Sequence, residues 1–276
     1  MLMYMQVLVM IMNDRKLILF AGPCVIESKE IVEEIVQELK RITQERDIDF
    51  YFKASFDKAN RSSIKSYRGP GLEDGLAILK EIKEKYKIKV ITDIHEPWQA
   101  EIVAKVVDAI QIPAFLCRQT DLLIAAGKTQ KLILIKKGQF LSPSEMKNVI
   151  NKVKDTGNEN IYICERGTTF GYNRLVVDMT GIYEMKKNGY PVVIDATHSN
   201  QLPGGNGDSS SGNSEYAEVI AKSAIAAGAD ALFFEVHPNP EVALSDGANM
   251  VVLSQFAAIL DRTLKIYYAV TEEGDE

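Results

Sequence analysis

The chain has 276 residues, 46% hydrophobic and 25% charged, enough apolar material for a sizeable core and too little compositional bias for disorder. Its formal net charge of -6 argues against nucleic acid or an anionic membrane surface as the main partner, so no nucleic acid and no membrane are expected among its partners. Three scattered cysteines, Cys24, Cys117 and Cys164, are too few for a disulfide framework and fit a reducing, cytoplasmic setting.

Residues 1–12 are apolar but lack a basic leader or a small-residue cleavage site, and they are too short to span a bilayer. Residues 5–12 read as a strand, 13–15 as a turn and 16–21 as the returning strand, a hairpin that would close the bottom of a barrel. The alternative is that translation starts at Met12. Strand patterns then follow at 17–21, 50–53, 89–92, 109–112, 132–136, 161–164, 192–195 and 231–235. Helical periodicity lies between them, clearest at 31–44, 72–86, 144–153 and 215–227.

Alternating β and α with short loops means parallel strands joined by crossover helices, and eight units are the number that closes a (β/α)8 TIM barrel. The expected organisation is one barrel domain over residues 1–276, with 1–21 as the N-terminal hairpin and first strand. An open doubly wound sheet is the alternative. Against it, no G-x-G-x-x-G follows an early strand, and Gly22-Pro23-Cys24 is not a dinucleotide loop.

Barrel active sites sit where the strands end, and polar residues cluster there. Cys24 follows the first strand, Lys53 and Ser55 the second, Asp93 and His95 the third, and Lys136 ends the fifth. Glu165 and Arg166 follow the sixth, Asp195 and His198 the seventh, and Glu235 and His237 the eighth. Closure makes strand eight a neighbour of strand one, so Cys24, His198 and Glu235 should meet, with Asp246 in reach. A thiolate, an imidazole and two carboxylates suit a divalent metal ion of the Zn, Fe(II), Mn or Co type. A lone cysteine is more often a small buried hydrophobe, which is the reading for Cys117 and Cys164.

Lys53, Lys58, Lys136 and Arg166 form a cationic arc, and four like charges in one cavity should repel each other until an anionic ligand arrives. The expected ligand carries at least two negative charges, such as a phosphate plus a carboxylate. The Gly/Ser-rich stretch at 201–212, beside His198, reads as a lid over substrate.

Several segments then combine: A-G-P-C at 21–24, F-K-A-S-F-D-K-A-N-R-S-S at 52–63, R-G-P-G-L at 68–72 and T-D-I-H-E-P at 92–97. Further on come Q-I-P-A-F-L-C-R-Q-T-D-L at 111–122, K-K-G-Q-F at 136–140, E-R-G-T-T-F-G-Y-N at 165–173, D-A-T-H-S at 195–199 and H-P-N-P at 237–240. With them the chain closely resembles the 3-deoxy-D-manno-octulosonate 8-phosphate synthases (2-dehydro-3-deoxyphosphooctonate aldolases), in their metal-dependent group because Cys24 stands where other members have Asn.

The resemblance implies a transferase that condenses phosphoenolpyruvate with D-arabinose 5-phosphate and water, releasing phosphate, on the route to the lipopolysaccharide sugar Kdo. It implies a homotetramer and a metal held by Cys24, His198, Glu235 and Asp246. Lys53, Ser55, Lys58, Lys136 and Arg166 would hold phosphoenolpyruvate, while Asn60, Arg61 and Ser62 would take the sugar phosphate. Gln111 joins the substrate set, and Arg118 would reach a neighbouring subunit's sugar phosphate. Lys53, Lys58, Asp93 and His198 are the catalytic candidates. The nearest rival is 3-deoxy-D-arabino-heptulosonate 7-phosphate synthase, which uses erythrose 4-phosphate and carries a K-P-R-T-S-like motif where this chain has K-A-N-R-S-S. A metal-dependent pyruvate aldolase and a non-catalytic sugar-phosphate sensor are the more distant alternatives.

Overall fold

The computed structural model describes residues 16–202 and 211–272, so the expected strand at 5–12 and the middle of the Gly/Ser-rich stretch lie outside the described residues. The chain runs β1 (Leu17–Gly22), α1 (Lys29–Gln44), β2 (Ile48–Lys53), α2 (Leu72–Tyr86), β3 (Lys89–Asp93), α3 (Gln99–Ala104) and β4 (Ala109–Ile112). It continues through α4 (Thr120–Lys128), β5 (Leu132–Lys136), α5 (Met146–Lys154), β6 (Ile161–Glu165), a hairpin of β7 (Thr168–Gly171) and β8 (Arg174–Val176), and α6 (Met179–Lys186). Then come β9 (Val192–Asp195), the short strands β10 (Gln201–Leu202) and β11 (Ser211–Gly212), α7 (Glu215–Ala226), β12 (Ala231–His237), β13 (Val251–Val252) and α8 (Leu253–Glu272).

Strands β1, β2, β3, β4, β5, β6, β9 and β12 pair in that order, all parallel, and β12 pairs back onto β1 with Phe20 beside Phe233. The fold is the closed (β/α)8 TIM barrel read from the alternation. The helices cover it with apolar stripes. In α1, Val32, Ile35, Val36, Leu39 and Ile42 are all buried, and Ser28 caps the helix by accepting from the Ile31 amide at 3.3 Å. Each such side chain, fully buried, is worth about 1.5–3 kcal/mol.

The two-residue period of a strand decides what faces inward. Phe50 and Phe52 of β2 join the layer between strands and helices, whereas Tyr51 joins Phe20, Ile91, Ala109, Leu134, Cys164, Val193 and Phe233 in a separate inner cluster. Two residues further along each strand, the same parity selects Gly22, Lys53, Asp93, Gln111, Lys136, Arg166, Asp195 and Glu235. An apolar plug therefore carries a polar rim at the C-terminal mouth. Gly22, the one rim position without a side chain, is required: a Cβ there would lie 2.0 Å from the Lys53 carbonyl oxygen across the β1–β2 pair.

The hairpin β7–β8 and the β10–β11 pair are features that periodicity did not reveal. β10 and β11 are the two ends of the Gly/Ser-rich stretch, paired antiparallel through Gln201 with Gly212 and Leu202 with Ser211.

Candidate active site

Closure of the barrel sets Gly22 in register with Glu235, which brings the segment after β1 to the end of β12. There the ligand atoms of Cys24, Glu235 and Asp246 all lie within 4.8 Å of one another. Cys24 Sγ is 3.3 Å from Asp246 Oδ2 and 2.9 Å from Ser245 Oγ. Asp246 reaches this corner through a left-handed backbone turn, φ 49°, a conformation that Asp tolerates better than most residues.

Both Glu235 carboxylate oxygens are buried with no hydrogen-bond partner among the described residues. The nearest basic nitrogens to it are His198 Nε2 at 3.5 Å and Lys58 Nζ at 3.8 Å. A buried carboxylate without donors is costly, and a divalent cation between it, the thiol and Asp246 would remove that cost. The donor set therefore fits a borderline metal ion. Without one, burial and the Glu235 carboxylate push the Cys24 thiol well above its ordinary range. Burial would also raise Asp246, but His198 and Lys58 hold it below the usual carboxylate value. His198 is adjacent to the three-residue group rather than part of it: its Nδ1 lies 2.7 Å from Asp195 Oδ2, leaving Nε2 toward Glu235.

The cationic arc corrects one expectation. Lys53, Lys58 and Lys136 do not face one another bare, because the carboxylates of Asp93, Asp195 and Glu235 stand between them on the same rim. Lys53 Nζ is 3.0 Å from Asp93 Oδ1 and donates to Ser55 Oγ at 2.9 Å, and Lys136 contacts Asp195. Asp93 also accepts from Ser55 Oγ at 2.5 Å and meets His95 Nε2 at 3.1 Å. Burial alone would raise both carboxyls, yet Lys53 and His95 hold Asp93, and His198 and Lys136 hold Asp195, well below the usual range. Burial lowers the Lys53 ammonium. It would lower Lys58 too, but Cys24, Glu235, Asp93 and Asp246 outweigh it and raise that ammonium.

Lys58 has a carboxylate no nearer than 3.8 Å, and Arg166 is the arc cation with no carboxylate ion pair among the described residues. One Nη donates to Gln201 Oε1 at 2.6 Å, and the other is buried with no partner among the described residues. It lines a cavity of about 1150 Å³ together with Lys58, Asn60, Arg61, Ser62, Asp93, Gln111, Lys136, His198, Glu235 and Asp246. Arg61 spans that wall, donating to the carbonyls of Tyr67 at 3.0 Å and Leu244 at 2.8 Å. Cys24, Lys53 and Ser55 are buried and do not line the cavity. Arg118 is exposed and does not line it either.

Asp195, Glu165, Gln201 and Ser245 hold the site together without having been assigned to it. Glu165 accepts from the amides of Arg166 and Gly167 at 3.1 and 2.6 Å, fixing the turn that carries Arg166. The sequence marks Asp195 and Glu165 only as polar residues at strand ends and Gln201 only as the start of the Gly/Ser-rich stretch, and it gives no role to Ser245.

With this geometry established, comparison places the chain. The model of the DAHP synthetase I family matches residues 3–268. The chain belongs to that family. Among its similar proteins, those from Fusobacterium nucleatum and Cyanothece sp. are each 55% identical, over 254 and 252 residues. The first alignment covers 92% of this chain and 91% of that protein, the second 91% and 92%. One from Desulfotalea psychrophila is 50% identical over 264 residues, 96% of this chain and 94% of its own. All three are named 2-dehydro-3-deoxyphosphooctonate aldolase, which bears out the resemblance read from the motifs. For a DAHP synthetase I family member, the group at Cys24, Glu235 and Asp246 is a possible metal-ligand set at the expected end of the barrel. No helix among the described residues is long and apolar enough to cross a membrane.

Proposed function

We propose that the protein condenses phosphoenolpyruvate with D-arabinose 5-phosphate and water, giving 3-deoxy-D-manno-octulosonate 8-phosphate and inorganic phosphate. The observation that carries this reading is one shared cavity: Asn60, Arg61 and Ser62 line it together with Lys136 and Arg166, beside the Cys24, Glu235 and Asp246 corner. The name octonate on the similar proteins means eight carbons, the sum of a three-carbon enol and a pentose, whereas erythrose 4-phosphate would give seven.

Lys136 and Arg166 take the phosphate and carboxylate of phosphoenolpyruvate, with Lys53 and Ser55 behind them and Gln111 alongside. Arg61 with Asn60 and Ser62 holds the sugar phosphate, and Arg118 serves a neighbouring subunit in a homotetramer. C3 of the enol attacks the aldehyde, water adds at C2, and the hemiketal phosphate expels phosphate with C–O cleavage. Lys58, kept charged by the acids around it, stabilises the negative charge that develops on the aldehyde oxygen. The Asp93–His95 pair, 3.1 Å apart, is placed to move a proton. A divalent ion, Zn, Fe(II), Mn or Co, held by Cys24, His198, Glu235 and Asp246 would supply Lewis acidity toward a carbonyl or a water. The setting is cytoplasmic biosynthesis of the lipopolysaccharide sugar.

The test is stoichiometry. Purified protein given both substrates should release one phosphate per arabinose 5-phosphate consumed and form an eight-carbon sugar-acid phosphate by mass spectrometry. Phosphate release without consumption of the aldose would refute the reading.

A further inference from the structure

We propose that Asp195 is a positioning residue that fixes the tautomer of His198 and the place of Lys136 through one shared oxygen, coupling the metal corner to the enol-phosphate pocket. The identity of the two ligands rests on the functional reading above. The geometry comes from the end of β9. Asp195 is fully buried, and its Oδ1 accepts from Thr197 N at 3.1 Å, Thr197 Oγ at 3.0 Å and His198 N at 2.8 Å. Those three donors occupy Oδ1. Oδ2 is left to two side chains, His198 Nδ1 at 2.7 Å and Lys136 Nζ. Phe233 backs both of them, with Lys136 Nζ 3.2 Å from its ring centroid and the His198 ring 6.0 Å away.

A carboxylate only accepts, so the ring nitrogen facing it carries the proton. Nδ1, 2.7 Å from Asp195 Oδ2, is thereby held as N–H; Nε2 lies 3.5 Å from Glu235 and would offer its lone pair to a cation bound between the two, the form needed for a metal ligand. Lys136 competes for the same oxygen. When an enol phosphate engages Lys136, more of Oδ2 is free for His198, and Nε2 becomes the better electron donor. Phosphoenolpyruvate therefore tightens metal binding, and by linkage the metal tightens phosphoenolpyruvate by the same factor.

Asp195→Asn separates this role from a merely structural one. The amide oxygen can keep the three donors at Oδ1, while the NH2 group replaces Oδ2 and faces two donors. His198 must then accept at Nδ1 and carry its proton on Nε2. Co(II) affinity is measured on metal-free protein by chelator competition, with and without saturating phosphoenolpyruvate, and folding is checked by circular dichroism. Expected is a loss of about 10–100-fold in Co(II) affinity and disappearance of the tightening that phosphoenolpyruvate produces in the wild type. A Co(II) affinity within about threefold of wild type, or an unchanged phosphoenolpyruvate effect, would overturn the proposal.

If Asp195→Asn does not fold, nitrogen-15 spectra of the Zn(II)-loaded wild type decide. The chain has 3 histidines, so His198 is assigned through His95→Asn and His237→Asn. A proton on Nδ1 supports the proposal, and a proton on Nε2 overturns it. Neither readout needs turnover, so wild-type protein that shows the coupling but releases no phosphate would refute the functional reading alone.

Discussion

Asp93→Ala isolates what the interleaved carboxylates do for this barrel. The carboxylate lies 3.0 Å from Lys53 Nζ, 2.5 Å from Ser55 Oγ and 3.1 Å from His95 Nε2. The Lys53 and Asp93 side chains are only 1% and 6% exposed, so solvent cannot replace what the substitution removes. The variant leaves an ammonium buried with one hydroxyl beside it. Breaking such a pair from one side costs about 3–5 kcal/mol, against about 0–1 kcal/mol for a surface pair. That is a large share of the roughly 5–15 kcal/mol that holds a typical domain folded. Urea denaturation followed by circular dichroism measures it, with the two slopes compared so that only stability is read.

The pH dependence has a definite sign. Because the folded-state pKa of Asp93 is depressed, its contribution is present above the unfolded value of about 3.9 and is lost as pH falls through the folded value. The deficit of Asp93→Ala should therefore stay flat from about pH 8 to about pH 5. A loss below about 1 kcal/mol at neutral pH, or a deficit that shrinks within that window, would refute the reasoning.

Cys24→Ala removes a ligand atom and should weaken divalent-metal affinity by at least about tenfold and abolish metal-dependent turnover; full activity of the chelator-treated variant would show that no metal is essential. Arg61→Ala should raise KM for arabinose 5-phosphate about tenfold or more and leave KM for phosphoenolpyruvate unchanged, since the guanidinium sits on the Asn60–Ser62 wall. An unchanged KM for the sugar would contradict its role. Gly22→Ala forces a Cβ to 2.0 Å from backbone that has no room to yield, so it should cost about 1–3 kcal/mol and, by shifting Lys53, raise KM for phosphoenolpyruvate. Unaltered melting and kinetics would show that β1 and β2 can part without consequence.

The barrel was legible because apolar period-two runs and 3.6-period stripes alternate without a break, and closure then predicted that Cys24 and Glu235 would meet. The hairpin β7–β8 escaped because it is solvent-facing: Thr168 and Phe170 are exposed, and its turn uses left-handed backbone at Phe170, Tyr172 and Asn173 rather than at Gly171, the glycine among them. The approach of Asp246 depends on a similar left-handed residue, so only its presence in the loop could be read, not its path. The repulsion expected among the cations failed for a different reason. Asp93 lies on the strand beside that of Lys53, and Asp195 two strands along from Lys136 with β6 between, so the pairings emerge only when the registers of β2 with β3, of β5 with β6 and of β6 with β9 are known. His198 was placed at the metal corner from strand order alone, and its tether to Asp195 is a local three-residue arrangement that strand order does not describe.

The central claim is that one cavity holds an enol phosphate on Lys136 and Arg166 and a pentose phosphate on Asn60, Arg61 and Ser62. The direct test is the ratio of kcat/KM for arabinose 5-phosphate to that for erythrose 4-phosphate, from phosphate release by metal-loaded protein with phosphoenolpyruvate saturating. The account predicts a ratio well above one, lost when Cys24 is replaced or the metal is chelated because turnover itself stops. Faster condensation of erythrose 4-phosphate would contradict it.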